Sequence, residues 1–196
     1  MNHKENNLDS LTAEQVGKLF PIRIEPYDPE WKTLFGQEKE LITEVLGTDL
    51  AVDIEHIGST SVEGLDAKPT IDILVEVPNL SIELKHIIAR KLETAGYGNM
   101  SNSERENRMT FGKGYERNCP HTYHIHIMEK GNTPQDEIYF RDSLRENPCI
   151  RDEYKRLKYR LAEKYRFNRE EYTQAKTEFI VRTTEQQKQK KYDCKG

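Results

Sequence analysis

The chain has 196 residues, with 30 Lys and Arg against 34 Asp and Glu, for a formal charge of −4. No stretch approaches the ~20 apolar residues needed to cross a bilayer, so a membrane-spanning protein is excluded. The near balance of charge gives no basis for bulk nucleic-acid binding, and ten Tyr, six Phe and Trp31 argue against general disorder.

Its length suits one domain of roughly 100–200 residues, large enough for a core without a disulfide or a structural metal. Cys119, Cys149 and Cys194 are odd in number and far apart, matching neither a disulfide framework nor a zinc knuckle. The opening MNHKENNLDS has no apolar run behind a basic segment, unlike a secretory leader. A reducing, cytoplasmic setting is the expectation.

In chain order, residues 1–9 read as a flexible polar N-terminus. Leu11 to Leu19 read as a short helix capped by Ser10. Ile22 to Pro26 suggest a short strand. Asp28-Pro29 then opens an amphipathic helix: Trp31, Leu34, Phe35, Leu41, Ile42, Val45 and Leu46 recur at three- and four-residue spacings up to Gly47. Val52 to Ile57 alternate as a strand does, and a turn or short helix covers 61–67. Thr70 to Val77 is nearly continuous in apolar residues, as a doubly covered central strand should be.

Leu80 to Ala95 read as a helix stopping at Gly96. Arg108 to Phe111 and His121 to Met128 read as strands, with a loop or hairpin between them. Three helices follow, from Pro134 to Arg145, from about Ile150 to Tyr165 and from about Arg169 to Val181. The Gln- and Lys-rich stretch 183–196 reads as a polar, disordered tail. The pattern is α/β (or α+β): a small mixed sheet flanked by helices, with a helical C-terminal part. Residues 10–182 are expected to form a single domain.

The chemistry concentrates at residues 55–76, EHIGSTSVEGLDAKPTIDILVE. A strand ends in Gly58-Ser59, a loop of about ten residues follows, and the next strand presents Asp72 near its start. Gly58 permits a sharp turn and close ligand approach. Ser59 and the following N–H groups can cradle a phosphate if a helix starts there, with Asp72 holding a divalent metal beside it. The plain alternative is a turn glycine, a capping serine and a solvated aspartate.

Together with residues 18–31 (KLFPIRIEPYDPEW), 122–129 (TYHIHIME) and 139–148 (YFRDSLRENP), this segment resembles the GrpB family over roughly residues 10–181. That resemblance implies a nucleotidyltransferase-like fold, with a Gly-Ser motif before a metal-binding acidic strand. One feature departs from that pattern. Asp72 has Thr70 and Leu74 as its same-face neighbours, so the usual second carboxylate is missing. Glu76 lies about 13 Å further along the strand.

Other residues are candidates to complete the site. His124 and His126 alternate on one strand face and suit a transition metal, a phosphate contact or a packed structural pair. His56 is read as a base or phosphate contact at the mouth of the site. Its same-face neighbours Ile54 and Gly58 also allow a packing role. Lys68, held extended before Pro69, can set a positive charge over a phosphate, and Arg141 can contact the ligand from its helix. The tyrosines and phenylalanines after residue 150 read as helix packing, with the lysines between them solvated.

The expected function is metal-dependent nucleotidyl or phosphoryl transfer from a nucleoside triphosphate to an acceptor that the residues do not name. Catalysis would rest on Asp72, His56 and Lys68. Gly58, Ser59, Lys68 and Arg141 would bind the nucleotide, and Asp72, His124 and His126 the metal (Mg or Mn, with Zn as an alternative). The competing expectations are a noncatalytic nucleotide- or phosphate-binding protein and a protein-interaction module on a degenerate transferase fold.

Overall fold

A computed structural model describes residues 12–100, 107–115, 119, 121–131 and 136–193. The expected capping residue Ser10 and helix start Pro134 lie outside them. The fold class is as expected: a five-stranded mixed sheet flanked by helices.

The elements are α1 (Ala13–Leu19), α2 (Glu30–Leu46), β1 (Asp53–Ile57), β2 (Thr70–Val77), α3 (Ile82–Thr94), β3 (Gly98–Asn99), β4 (Arg108–Lys113), β5 (Thr122–Glu129), α4 (Asp136–Glu146), α5 (Pro148–Lys164), α6 (Arg169–Gln174) and α7 (Thr177–Asp193). A 3₁₀ turn, Ser59–Ser61, follows β1. The sheet order is β1-β2-β5-β4-β3. Only β2 and β5 run parallel, with Asp72 opposite His124 and Leu74 opposite His126. The other pairs are antiparallel, and β1 sets Ile57 opposite Asp72.

Period-two alternation divides the molecule into layers. Ile71, Ile73, Val75 and Val77 of β2 and Ile125 and Ile127 of β5 pack under Trp31, Ile42 and Leu46 of α2 and Ile88 and Leu92 of α3. The opposite face presents Asp72, His124 and His126 near one end. Further along, Leu74, Ile57 and Met128 pack against Ile138 of α4. A second core joins Val62 and Leu65, just past the 3₁₀ turn, to Leu144, Tyr154 and Phe179 of α4, α5 and α7. This core holds the C-terminal helices over the site face.

Local signals explain most boundaries. The Asp28 carboxylate accepts the Glu30 N–H at 2.9 Å at the start of α2. Asn147 accepts from Cys149 and Ile150, and Pro148 occupies the first turn of α5, so α4 and α5 meet with almost no linker.

Three expectations are corrected. Residues 22–26 form no strand; Glu25 makes a single bridge to Ala67. The helix expected over 169–181 is broken between Gln174 and Thr177. The stretch read as a polar tail is helical to Asp193. Thr183, Thr184 and Gln187 are buried, Gln187 bonds Glu146, and Lys191 pairs with Asp142 at 3.1 Å. Polar composition concealed a helix held by polar contacts to α4.

Candidate metal and phosphate site

The centre of the site is Asp72, next to a glycine that leaves room for it. Gly58 has φ +70°, and a Cβ there would collide with the Asp72 carboxylate. Only glycine therefore serves both the turn and the close approach. The turn that follows sets Ser59 beside the Tyr154 hydroxyl of α5, with which it is hydrogen-bonded.

Parallel pairing of β2 with β5 brings the two histidines to Asp72. His124 Nδ1 lies 3.1 Å from Asp72 Oδ1, and His126 Nε2 lies 3.9 Å from the same oxygen. One ligand atom from each of the three residues fits within 4.8 Å of the others. Burial alone would raise the Asp72 pKa. The hydrogen bonds and charges of His124 and His126 outweigh it and hold the carboxyl well below the usual range. His124 Nδ1 hydrogen-bonds Asp72 and Nε2 the Tyr115 hydroxyl; with Nε2–H donating to the Tyr115 oxygen, Nδ1 would keep its lone pair for a metal shared with Asp72. Burial lowers the His126 pKa, with Arg108 adding to the effect, which favours the neutral imidazole that metal ligation requires.

His126 Nδ1 is buried with no hydrogen-bond partner among the described residues. Two imidazoles and one carboxylate, with His126 Nε2 the ring nitrogen that faces Asp72, fit a divalent metal with nitrogen affinity. Asp72, His124 and His126 would hold it, supplying Lewis-acid polarisation of a phosphate oxygen.

A group of lysines lies beside this trio. Lys68 and Lys176 both approach the Tyr172 ring, at 5.4 and 4.3 Å from its centroid. Lys158 sits 5.0 Å from the Tyr154 ring and donates to the Asp66 carbonyl. Burial lowers the pKa of all three, assisted by Arg169 at Lys68 and by the lysines' own mutual repulsion. Lys158 falls to about 7 and Lys176 to about 8. The nearby Asp66 carboxylate is already occupied by Lys155, Tyr159 and the Tyr27 N–H. Asp72 is the other acid acting on Lys68 and Lys176. Partly desolvated cations without carboxylate partners of their own are suited to a polyanion.

The structure brings together Gly58, Ser59, Lys68, Asp72, His124 and His126. It does not bring His56 or Arg141 to them. His56 faces α2, stacked on Phe35 with ring centroids 4.6 Å apart. Its Nε2 lies 3.1 Å from Thr60 Oγ1, and burial lowers its pKa to about 4. As a base at this site it is displaced by one residue of strand alternation. Arg141 is buried. Its guanidinium bonds Glu55 at 2.6 Å, the His56 carbonyl and Asp142, fastening α4 to β1 instead of reaching a ligand.

Sequence reasoning missed Tyr115, Tyr154, Lys158 and Lys176. The available signal is the two lysines' position among aromatic residues, Lys158 within α5 and Lys176 in the turn between α6 and α7.

The geometry is that of a mixed-sheet α/β protein with one carboxylate and two imidazoles grouped beside a lysine cluster. A family model described as GrpB protein matches residues 21–186, and the chain belongs to that family. The glutamate-rich protein GrpB of Alkalihalophilus pseudofirmus is 36% identical over 156 residues, which cover 79% of this chain and 88% of that protein. The protein YqkA of Bacillus subtilis is 35% identical over 88% of this chain, which spans only 50% of YqkA. The crystal structure of the conserved protein GrpB from Enterococcus faecalis superposes with a TM-score of 0.77 at 32% identity, over 87% of this chain and 99% of that one.

Proposed function

We propose that the chain carries out metal-dependent nucleotidyl or phosphoryl transfer from a nucleoside triphosphate. One observation carries this reading: the Asp72–His124–His126 trio packs against Gly58, and the desolvated Lys68 and Lys176 feel the Asp72 charge. Metal donors and desolvated ammonium groups meet beside one turn. That is the charge pattern a polyphosphate requires.

In this reading Ser59 orients the phosphates, and Lys68, Lys158 and Lys176 offset their charge. Tyr154 fixes the turn. Among the described residues, the groups beside the site able to take an acceptor's proton near neutral pH are Lys158 and Lys176, with pKa values lowered by burial to about 7 and about 8.

The test combines the full-length chain, Mg, Mn or Zn, and each of the four nucleoside triphosphates. Nucleotide binding is read by titration and release of diphosphate or pyrophosphate by chromatography. Metal-dependent turnover lost in Asp72→Asn and His126→Asn is expected. Absence of both bound metal and bound nucleotide in the wild type overturns the proposal.

The lone carboxylate favours a second reading. The adjacent positions on Asp72's face of β2 are Thr70 and Leu74, neither of them acidic, and β1 offers Ile57 opposite it. A noncatalytic phosphate-ligand-binding protein needs only the one metal position. Tight nucleotide binding without turnover across all metals would select it. A protein-interaction module would bind neither nucleotide nor metal.

A further inference from the structure

A second cleft, of about 720 Å³, lies at the β1 edge of the sheet, on the far side of the Ser59–Ser61 turn from Asp72. That volume is within the ordinary range for small-molecule sites. Its floor is the His56–Phe35 stack. Its walls carry four cations: Lys32 and Lys39 from α2, Arg145 from α4 and Arg151 from α5.

Among the described residues, none of the four pairs with a carboxylate. Lys39 donates to the Ile54 carbonyl at 3.0 Å and Arg145 to the Ser61 carbonyl at 2.7 Å. Elsewhere on the surface, pairing is common: Lys155, Arg182, Lys188, Lys190 and Lys191 each hold an acid. The cleft's own acids do not cancel the charge. Glu55 is taken by Arg141 at 2.6 Å, and only Glu63 remains.

The floor also has a defined hydrogen-bonding character. The Thr60 hydroxyl donates to the Thr70 carbonyl at 2.9 Å, so His56 Nε2 must donate to Thr60 Oγ1. Burial lowers the His56 pKa to about 4 and keeps the ring neutral, so with Nε2 donating, Nδ1 is an acceptor, with no partner among the described residues.

We infer that this cleft is a second binding site, for a small molecule bearing a phosphate or carboxylate group together with a hydrogen-bond donor. The anionic group meets the four cations, and the donor meets His56 Nδ1. Thr60 and Ser61 line the cleft while Ser59 of the same turn lies at the Asp72 site, so the two sites share a wall. The inference does not depend on the activity proposed above.

The test follows the imidazole nitrogen resonances of His56 in the full-length, ¹⁵N-labelled chain, assigned with His56→Gln. Glucose 6-phosphate and citrate are the two probes, one for each anionic chemistry. Saturable movement of the His56 signals by one or both probes is expected, and the responding probe shows which anion the site takes. The double variant Lys32→Glu, Arg151→Glu should lose about tenfold or more in affinity. Asp72→Asn should bind as the wild type does. Lys32→Arg, which keeps the charge, controls for folding and should also bind normally. No movement of His56 at millimolar probe, unchanged affinity in the double variant, or loss in Asp72→Asn would each overturn the inference. Binding of a single-stranded RNA oligomer but neither small probe would overturn the small-molecule assignment.

Discussion

The lysine cluster makes the pH dependence of ligand binding a quantitative test of the site. Lys158 and Lys176 have pKa values lowered by burial to about 7 and about 8. If a triphosphate requires both ammonium groups, the competent fraction is about one half at pH 7, about one twentieth at pH 8 and about one thousandth at pH 9. Affinity should therefore fall about tenfold from pH 7 to 8 and about fiftyfold more from 8 to 9. The ligand's terminal phosphate is already largely ionised over this range, its last pKa being about 6, so the loss belongs to the protein. Binding should take up protons, detectable as a dependence of titration heat on the buffer's ionisation enthalpy. The ligand-free protein should show the opposite trend. The unfolded chain holds the Lys158 proton up to the ordinary lysine pKa, so stability rises as pH climbs above about 7. Lys176→Met should remove about one proton from the linkage. An affinity flat to pH 9, breaking only near 10, would refute the assignment of these lysines to the ligand.

Gly58→Ala should cost about 1–3 kcal/mol in strain and displace Asp72, so metal content measured by elemental analysis should fall more than urea stability does. Arg141→Ala should destabilise by about 2–4 kcal/mol, because it leaves Glu55 and Asp142 without their shared guanidinium. Nucleotide affinity, measured by titration, should be unchanged; a selective loss of affinity would restore Arg141 to the ligand site. Tyr97→Phe removes the hydroxyl that donates to buried Glu38 at 2.6 Å. Denaturant titration should show a loss of about 1–3 kcal/mol, moderated by Lys113, which still pairs with Glu38 at 3.1 Å.

The fold class was legible because β2 and α2 carry strong periodic signals: a nearly unbroken apolar run and a three-four repeat. Asp72 and the His124/His126 pair were also legible as separate candidates, each from its own strand. They were also read as one metal set; what neither strand shows by itself is the parallel pairing of β2 with β5, across some fifty residues, that joins them. His56 shows how far local reasoning reaches. The Ile54-x-His56 spacing already placed it on an apolar face, and the structure bears out that packing role. Lys158 was illegible because exposure depends on what packs over a helix, and Lys176 because it lies in the turn between α6 and α7. Tyr154 of α5 reaches Ser59 and also joins the core of Val62 and Phe179. The helical end at 183–193 was missed for a related reason: its helix is held by side-chain pairs to α4, which no apolar stripe announces.

The donor set itself predicts which metal the site prefers. Magnesium takes oxygen ligands, commonly carboxylates and phosphates, and sheds water reluctantly. Asp72 is the one carboxylate in the trio, and the other two donors are imidazoles, which favour zinc, iron or nickel. The purified chain should therefore prefer zinc over magnesium in competition followed by elemental analysis. His126→Asp would replace a nitrogen donor with a carboxylate on the same face of the sheet, next to the position of His124. It should shift the preference toward magnesium by about tenfold or more, the scale on which a change of donor type acts. Tyr115→Phe should weaken affinity for every metal by about tenfold without changing their order, because the phenol only holds His124 in place. A wild type that selects magnesium, or a His126→Asp chain with unaltered preference, would show that these histidines are not ligands and that Asp72 holds its cation without them.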